Sequence, residues 1–395
     1  MQTIAVVGLD LAKNVFQVHG VAADGAVVVR RQLRRGQVLA FFQSIGPCLV
    51  GIEACASAHY WARELMALGH DARLMPPAYV KAYVKRGKTD AADAEAIAEA
   101  VTRPTMRFVA VKSKAQQAVL MLHKTRDLLV RQRTMLINAL RGHLGEYGIV
   151  APQGHAGVQV ALKALRDDDQ GLPDLARSAL GGLADQLEQL GAEIGRLERQ
   201  ILEWHRQDET SRRLATIPGI GPITASALAA SAPDPKLFRS GRQFAAWLGL
   251  TPRANSSGGK ERQGGISKMG DGYLRRLLVV GATAVLRMAR QRGREGWVGN
   301  LLERKKPKVA AVALAHKTAR IAWTLMARQE DSRENSREPI CAPETESRDV
   351  GVFCWGRPSP DPHVDPALRP LRRSPADFLV RGSLEWWCRL GDSNT

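Results

Sequence analysis

Residues 3–10 read Thr-Ile-Ala-Val-Val-Gly-Leu-Asp, an apolar run that ends in an acid. A short continuous apolar run of this kind predicts a buried β-strand, with Asp10 at its carboxyl end. Residues 15–20 and 26–30 show the alternation typical of two further strands, and the turn sequence Ala-Asp-Gly at 23–25 joins them. The sequence therefore predicts that the chain opens with a three-strand meander.

Strands and helices alternate after the meander. We predict a strand at 49–52, a helix at 58–68, a strand at 72–75 and a helix at 89–101, which ends before Pro104. This order predicts an α/β layer fold for a first domain at 1–108.

Four acids of this domain are placed to share one site. Asp10 and Glu53 each follow a predicted strand, and the carboxyl ends of strands are where open α/β sheets build ligand sites. Asp90 and Asp93 are three residues apart at a helix start, so they share one helical face. Clustered carboxylates repel one another unless a cation neutralises them, and a hard divalent ion with oxygen ligands fits that role. Each acid alone is more often a turn former or a helix N-terminal acid, but the set favours a metal site that cuts phosphodiesters.

The composition indicates a partner of negative charge. The chain of 395 residues carries 57 Lys and Arg against 39 Asp and Glu, which gives a formal net charge of +18. So positive a field favours a polyanion, and nucleic acid is favoured over anionic lipid. No apolar run approaches the ~20 residues of a membrane span and no signal peptide is recognisable, so we expect a cytoplasmic protein without a membrane partner. The five cysteines have neither zinc-site nor disulfide-framework spacing.

A helical segment is predicted at 109–207. Its first helix, at about 113–144, is basic and presents Lys124 and Arg131 as candidate contacts to nucleic-acid phosphates. Further along, apolar residues recur at alternating spacings of four and three, as in a coiled coil. An antiparallel hairpin, a dimer or packing within one domain would each bury this seam, and we predict self-association. The seam comprises Leu183, Leu187, Leu190, Ile194, Leu197, Ile201 and Trp204.

A second, mostly helical domain is predicted at 208–330. Its sequence Ile-Pro-Gly-Ile-Gly-Pro-Ile at 217–223 is typical of a helix-hairpin-helix motif. Gly219 and Gly221 would then let backbone N–H groups at a helix start approach a phosphate. A glycine-rich turn between two helices is the alternative interpretation.

A serine-containing glycine loop follows, with Asn-Ser-Ser-Gly-Gly-Lys at 255–260. Cations around such a loop stabilise charge on the oxygens of a phosphate that a serine attacks, although a Ser-Gly loop is more commonly only a loop. The candidate phosphate-binding cations are Arg253, Lys260, Arg262 and Lys268, with Arg275 and Arg276 in the helix that follows. Residues 331–395, rich in Pro, Arg, Ser and Asp, are predicted to be a disordered extension.

Together these segments resemble the DEDD transposases of the insertion-sequence 110 family, particularly its 1111 subgroup, which are related to the Piv-type DNA invertases. The match covers about residues 3–328, and the family's four-acid pattern falls on Asp10, Glu53, Asp90 and Asp93. The resemblance implies an RNase H-type, RuvC-like first domain and a C-terminal transposase domain.

The resemblance also implies a composite mechanism. The serine before the glycine is the nucleophile in this family, which here is Ser257, with Ser256 the less favoured choice. The resemblance implies that the four acids hold Mg²⁺, that the serine forms a covalent phosphoserine intermediate with DNA, and that strands are exchanged through a junction. It also implies a structured bridge RNA that pairs with donor and target DNA, and assembly as a dimer of dimers.

Two other functions compete with this interpretation. A RuvC-like junction resolvase or nuclease would use the four acids without any serine, so the Ser257→Ala variant would still cut. A non-catalytic nucleic-acid-binding protein would account for the charge alone, and Asp10→Ala would then leave every activity unchanged.

Overall fold

The computed structural model describes residues 3–85, 89–167, 171–232, 234–256, 258–260, 262–291 and 296–328. Within these residues the chain forms two compact units. The first contains the chain up to Ala118 and a short segment at 232–237, and the second contains residues 119–231 and the chain from Phe238 onward. The predicted extension at 331–395 lies outside the described residues. In the described part, no helix is both long and apolar enough to cross a membrane.

The first unit contains a five-stranded sheet in the order β3-β2-β1-β4-β5. Strands β1, β2 and β3 form the predicted antiparallel meander, and β4 and β5 continue the sheet parallel to β1. This mixed α/β arrangement is consistent with the RNase H-like fold that the resemblance implies. The strands are β1 Val6–Asp10, β2 Val15–Val21, β3 Val27–Arg34, β4 Leu49–Glu53 and β5 Asp71–Met75.

Four helices accompany this sheet. The predicted helices at 58–68 and 89–101 correspond to α2 and α4, whereas the short helices α1 and α3 were not predicted. Phe16 and Trp61 pack edge to face in the core between the sheet and α2. The helices are α1 Val38–Gln43, α2 Ala58–Ala67, α3 Pro77–Val80 and α4 Asp90–Val101.

The second unit is mostly helical, as predicted. A short two-stranded sheet, β6 Pro252–Ala254 and β7 Gln263–Ile266, interrupts its helices. The helices are α5 Lys114–Gly145, which begins in the first unit, α6 His155–Arg166, α7 Asp174–Gln207, α8 Glu209–Leu214, α9 Pro222–Ser231, α10 Gly241–Trp247, α11 Gly272–Gln291, α12 Gly296–Arg304 and α13 Pro307–Arg328.

The predicted heptad seam lies on α7 and is buried within the chain. Leu187 clusters with Leu140 near the end of α5, and Glu198 accepts hydrogen bonds from Arg126 near the start of α5. These contacts make α5 and α7 antiparallel neighbours. This arrangement corresponds to the antiparallel hairpin, one of the three ways of burying the seam that the sequence left open. Leu187, Ile194, Leu197 and Ile201 are all buried without a second copy. The seam therefore gives no support of its own to self-association, which stays a prediction.

A directed hydrogen-bond chain ties three helices together inside the second unit. Ser226 on α9 donates its hydroxyl proton to the Pro222 carbonyl, at 2.7 Å, so it accepts from His123 Nε2 on α5 at 3.2 Å. His123 Nδ1 then accepts from the Tyr273 hydroxyl on α11, at 3.1 Å. Burial lowers the pKa of His123 to about 3, so the ring is neutral and can fill both roles. The start of α11 is thus fixed to the core.

The glycine motif at 217–223 makes a tight backbone contact with α11. Gly219 has a φ of +87°, and a Cβ on Gly281 of α11 would lie 1.8 Å from the Gly219 carbonyl oxygen. The contact favours the glycine-rich turn over a phosphate-binding hairpin at Gly219, because this backbone packs against a helix of its own unit. Gly221 directly precedes α9, and its carbonyl accepts from Ala225 N–H. Phosphate binding by Gly219 and Gly221 stays a prediction.

This contact predicts opposite effects for two Gly→Ala substitutions in helices. Gly281→Ala should lower the free energy of unfolding by about 1–3 kcal/mol, because the new methyl group forces the turn away from α11. Gly191→Ala on the exposed face of α7, where a Cβ meets nothing within 4 Å, should raise it by about 0.5–1 kcal/mol through helix propensity. Urea unfolding of both variants measures the difference. Equal effects would show that the Gly219–Gly281 contact does not limit packing.

Candidate active site

Asp10 and Glu53 lie side by side at the carboxyl edge of the sheet. Strands β1 and β4 are parallel neighbours in which Leu9 pairs with Ile52, so the next residue on each strand is one of the two acids. Both acids are half-buried, whereas Leu9 and Ile52 just before them are fully buried. The predicted convergence of these two strand ends is therefore present in the fold.

Two glycines let α4 cross the sheet next to these acids. Gly8 and Gly51 are register partners, each two residues before an acid, so they share the face of the sheet that Asp10 and Glu53 use. A Cβ on Gly8 would lie 2.1 Å from the Ala94 carbonyl oxygen of α4, and one on Gly51 would lie 2.8 Å from the Val101 Cβ. The helix can approach this closely only because neither position has a side chain.

The approach brings the first turn of α4 to the acids. The Thr89 side chain accepts a hydrogen bond from Ala92 N–H at 3.2 Å and caps the helix. Asp90 and Asp93 follow in the first turn, where the helix dipole favours negative charge. Asp93 stands one residue before Ala94, whose carbonyl touches Gly8 of β1.

The other three acids lie close enough to Asp10 to affect its ionisation. The pKa of Asp10 is raised to about 6, first by burial and then by the negative charges of Asp93, Asp90 and Glu53. Cys55 lies beside the same group, since burial and the charges of Glu53 and Asp10 raise the pKa of its thiol. Cys55 was not among the predicted site residues, and its spacing of two from Glu53 was the available signal.

The donor set fits a hard divalent cation in its chemistry. Four carboxylates supply the oxygen ligands that such ions prefer, and their mutual repulsion is what a cation relieves. Among the described residues, however, no three His, Cys, Asp or Glu side chains are gathered closely enough to hold one ion in common.

Enlarging Gly8 tests the role of the α4 crossing. Gly8→Ala should lower the free energy of unfolding by about 1–3 kcal/mol, because the methyl group meets helix backbone rather than a flexible side chain. Any DNA cleavage should fall by about 100-fold, since Asp90 and Asp93 are displaced from Asp10 by about 1 Å. Gly46→Ala is the control, at an exposed position where a Cβ meets nothing within 4 Å. If both variants cut like the parent, close approach of α4 is not required.

The predicted serine loop is the connection of a small exposed hairpin in the second unit. Strands β6 and β7 pair antiparallel, and the Ser256 hydroxyl accepts from Arg262 N–H at 3.3 Å. Ser257 lies outside the described residues. Gly258 and Gly259 continue the turn with positive φ angles. The predicted phosphate contacts on or next to this hairpin are all exposed: Arg253, Lys260, Arg262 and Lys268. Arg253 already donates hydrogen bonds to the Ser267 carbonyl, at 3.0 and 3.3 Å.

The other predicted phosphate contacts divide into two kinds. Lys124 and Arg131 lie on the exposed face of α5, where Arg131 also faces Asp127 at 3.6 Å. In contrast, Arg276 donates a hydrogen bond to Asp127, and Arg275 donates to the backbone carbonyls of Leu248 and Met269. Phosphate binding stays a prediction for all four, and the last two already have structural partners.

Comparison with known proteins finds two transposase family models, one in the N-terminal and one in the C-terminal part of the chain. Residues 7–149 match a transposase family model of the DEDD IS110 type, and residues 211–297 match the model described as "Transposase IS116/IS110/IS902 family". A probable family 20 transposase of Pseudomonas aeruginosa is 54% identical over 82% of this chain and 97% of its own length. The transposase for insertion sequence element IS1111A of Coxiella burnetii is 40% identical over 84% and 92%. A pilin gene-inverting protein of Moraxella bovis shows a weaker likeness, 24% over 71% and 82%.

Proposed function

Since the chain belongs to the IS116/IS110/IS902 family of transposases and is therefore a DNA transposase, we propose that it cuts and rejoins DNA with a composite site. One part consists of Asp10, Glu53, Asp90 and Asp93 in the first unit. The other part is Ser257, whose neighbours Ser256 and Gly258 lie on the exposed hairpin of the second unit. Strand cleavage and exchange at the ends of an insertion sequence is the reaction that this division of roles serves.

The acids are proposed to hold Mg²⁺ and through it to orient the phosphate. A divalent cation bound there supplies positive charge to the phosphate oxygens and neutralises the carboxylates. Asp10 and Glu53 provide the fixed part of the site because they end neighbouring strands. Asp90 and Asp93 close it from the first turn of α4. The raised pKa of Asp10 supports the proposal, because it reflects burial first and then the repulsion by the other three acids, both of which a bound cation would offset.

Ser257 is proposed to be the nucleophile. Its hydroxyl loses a proton as the serine oxygen forms a bond to phosphorus. The bond from phosphorus to the leaving sugar oxygen breaks, and the sugar oxygen takes up a proton, so the number of protons is unchanged. The exposed cations Lys260 and Arg262 lie on the same hairpin and can stabilise the phosphate oxygens, and Arg253, which also donates to the Ser267 carbonyl, adds positive charge there. Attack by a sugar hydroxyl on the phosphoserine reverses the step, joins the DNA strands and releases the serine.

Guidance by a bridge RNA and assembly as a dimer or tetramer complete the proposal. The net charge of +18 and the exposed Lys124 and Arg131 on α5 supply surface for a second polyanion besides DNA. Sequencing of the DNA beside the gene tests this part, since a structured non-coding stretch is expected there.

The observation that carries the proposal is that Asp10 and Glu53 end neighbouring strands of a DNA transposase, within reach of the negative charges of Asp90 and Asp93. A plasmid that carries the gene with its flanking DNA provides the substrate for a test. With Mg²⁺, denaturing gels should show nicked DNA bound covalently to protein, and EDTA should abolish both cutting and attachment. Cutting without any attached protein would favour a resolvase-like mechanism, and cutting in EDTA would exclude the acids as a metal site.

A further inference from the structure

The serine hairpin leaves the second unit through a narrow base, which we call the neck. The neck consists of residues 247–249 at the end of α10 and residues 269–270 before α11. Beyond it, β6 is exposed along its length and β7 nearly so. An exposed two-stranded hairpin has little stability of its own, so the neck determines where its serines are held.

The two sides of the neck are pressed together at two glycines. Gly249 has a φ of +73°, and a Cβ there would lie 1.9 Å from the Met269 carbonyl oxygen. Gly270 has a φ of +89°, and a Cβ there would lie 2.0 Å from the Trp247 carbonyl oxygen. Neither residue can be replaced without separating the two segments, because the obstacles are backbone atoms.

Arg275 joins the two sides of this neck from the first turn of α11. Its Nη1 donates to the Leu248 carbonyl at 3.0 Å and to the Met269 carbonyl at 3.4 Å. The Leu248 carbonyl belongs to the C-terminal cap of α10, and the Met269 carbonyl belongs to the segment that returns from the hairpin to α11. One guanidinium nitrogen therefore bridges both ends of the hairpin's base.

The anchor points of this clamp are rigid. Leu248 is fully buried, and Phe244 and Trp247 of α10 stack at 5.4 Å. On the other side Leu274 is buried and Tyr273 is held by His123. Arg275 thus connects two helices that are packed into the core. If the two sides of the neck move apart slightly, the far end of the hairpin is displaced by a larger distance.

From this geometry we infer that Arg275 is a positioning residue, which sets the place of the serine hairpin for the strand-transfer reaction. The inference rests on the proposed function for the role of Ser257. It assigns Arg275 a task different from the phosphate contact that its charge suggests. We expect lysine to replace it poorly, because its ammonium is more strongly hydrated and its flexible stem loses more conformational freedom when it is held between the Leu248 and Met269 carbonyls.

Arg275→Lys tests the inference, with Arg287→Lys as control on an exposed face of the same helix. In Arg275→Lys, trypsin should cut the hairpin at Lys260 and Arg262 about tenfold faster. The rate of covalent attachment at saturating DNA should fall by about 100-fold. Affinity for duplex DNA should stay within about twofold, since the charge remains. Arg287→Lys should match the parent in all three measurements.

Gly270→Ala provides a second variant that retains every cation. It should open the neck by the clash with the Trp247 carbonyl and reproduce the faster proteolysis and the slower attachment at unchanged affinity. The inference is overturned if Arg275→Lys loses DNA affinity as much as attachment while trypsin cuts at the parental rate. If the parent forms no attachment at all, the serine mechanism fails, and the trypsin rates of the two neck variants still decide whether Arg275 is a clamp.

Discussion

The Ser257→Ala variant is expected to form no covalent protein–DNA species and to lower strand exchange by about 10⁴-fold or more. Removal of a nucleophile eliminates the covalent route, and whatever remains comes from metal-assisted attack by water. The four acids stay intact in this variant, so Mg²⁺ binding and DNA affinity should equal those of the parent. Denaturing gels of cleavage reactions on labelled DNA measure both the DNA that is covalently attached to protein and the exchanged strands.

Ser256→Ala is the matched control for this experiment. Its hydroxyl accepts the backbone N–H of Arg262 in the described part of the chain, so the substitution removes one exposed hydrogen bond. Attachment should then continue at a rate within about tenfold of the parent, because the loss is about 1 kcal/mol. If Ser256→Ala abolishes attachment and Ser257→Ala retains it, the two serines exchange roles. If both variants still cut fully, the resolvase-like alternative replaces the serine mechanism.

The strands of the first unit could be predicted because their apolar residues either alternate or run together. The predicted third strand ended at Arg30, whereas β3 continues to Arg34. The added residues are mostly exposed on the outer strand of the sheet, so burial imposes no pattern on them. Helix α1 was missed because it is only six residues long and buries two side chains, Val38 and Phe42. The end of an edge strand and a very short helix both depend on contacts with distant parts of the chain, which the local sequence pattern does not reveal.

The local sequence indicated which residues to consider for the candidate site, but it did not indicate the packing that brings α4 to the two strand ends. Asp10 and Glu53 follow apolar strands, which is a local signal, and Asp90 and Asp93 follow a helix cap. The partnership of Gly8 with Gly51 depends on the register of two strands that are far apart in the chain, which no local pattern reveals. In the same way Arg275 has the sequence signature of a phosphate ligand, although its guanidinium is bound to two backbone carbonyls.

Asp10→Asn is expected to lower Mg²⁺-dependent cleavage by about 1,000-fold while making the metal-free protein more stable. The loss follows because the amide removes one charged oxygen ligand from the site, and a catalytic metal contributes several kcal/mol to the transition state. The gain follows because the neutral amide is cheaper to bury than a carboxylate and is not repelled by Asp93, Asp90 and Glu53. A variant that loses activity and gains stability cannot owe its defect to misfolding.

The pH dependence separates these two effects. The folded-state pKa of Asp10 is about 6 and the ordinary value is 3.8, so between these values the folded protein binds more protons than the unfolded chain. The free energy of unfolding therefore falls as pH rises through this window, and the penalty is complete above pH 6. After allowance for solvent at a half-buried group, we expect Asp10→Asn to be about 1–2 kcal/mol more stable than the parent at about pH 7.5. The advantage should fade towards about pH 4, where the parent's acid is protonated.

Urea unfolding in EDTA at about pH 7.5 and about pH 4 measures the stability difference between Asp10→Asn and the parent. Addition of Mg²⁺ at the higher pH should stabilise the parent alone. An advantage that is equal at the two pH values would mean that charge repulsion among the four acids is not its source.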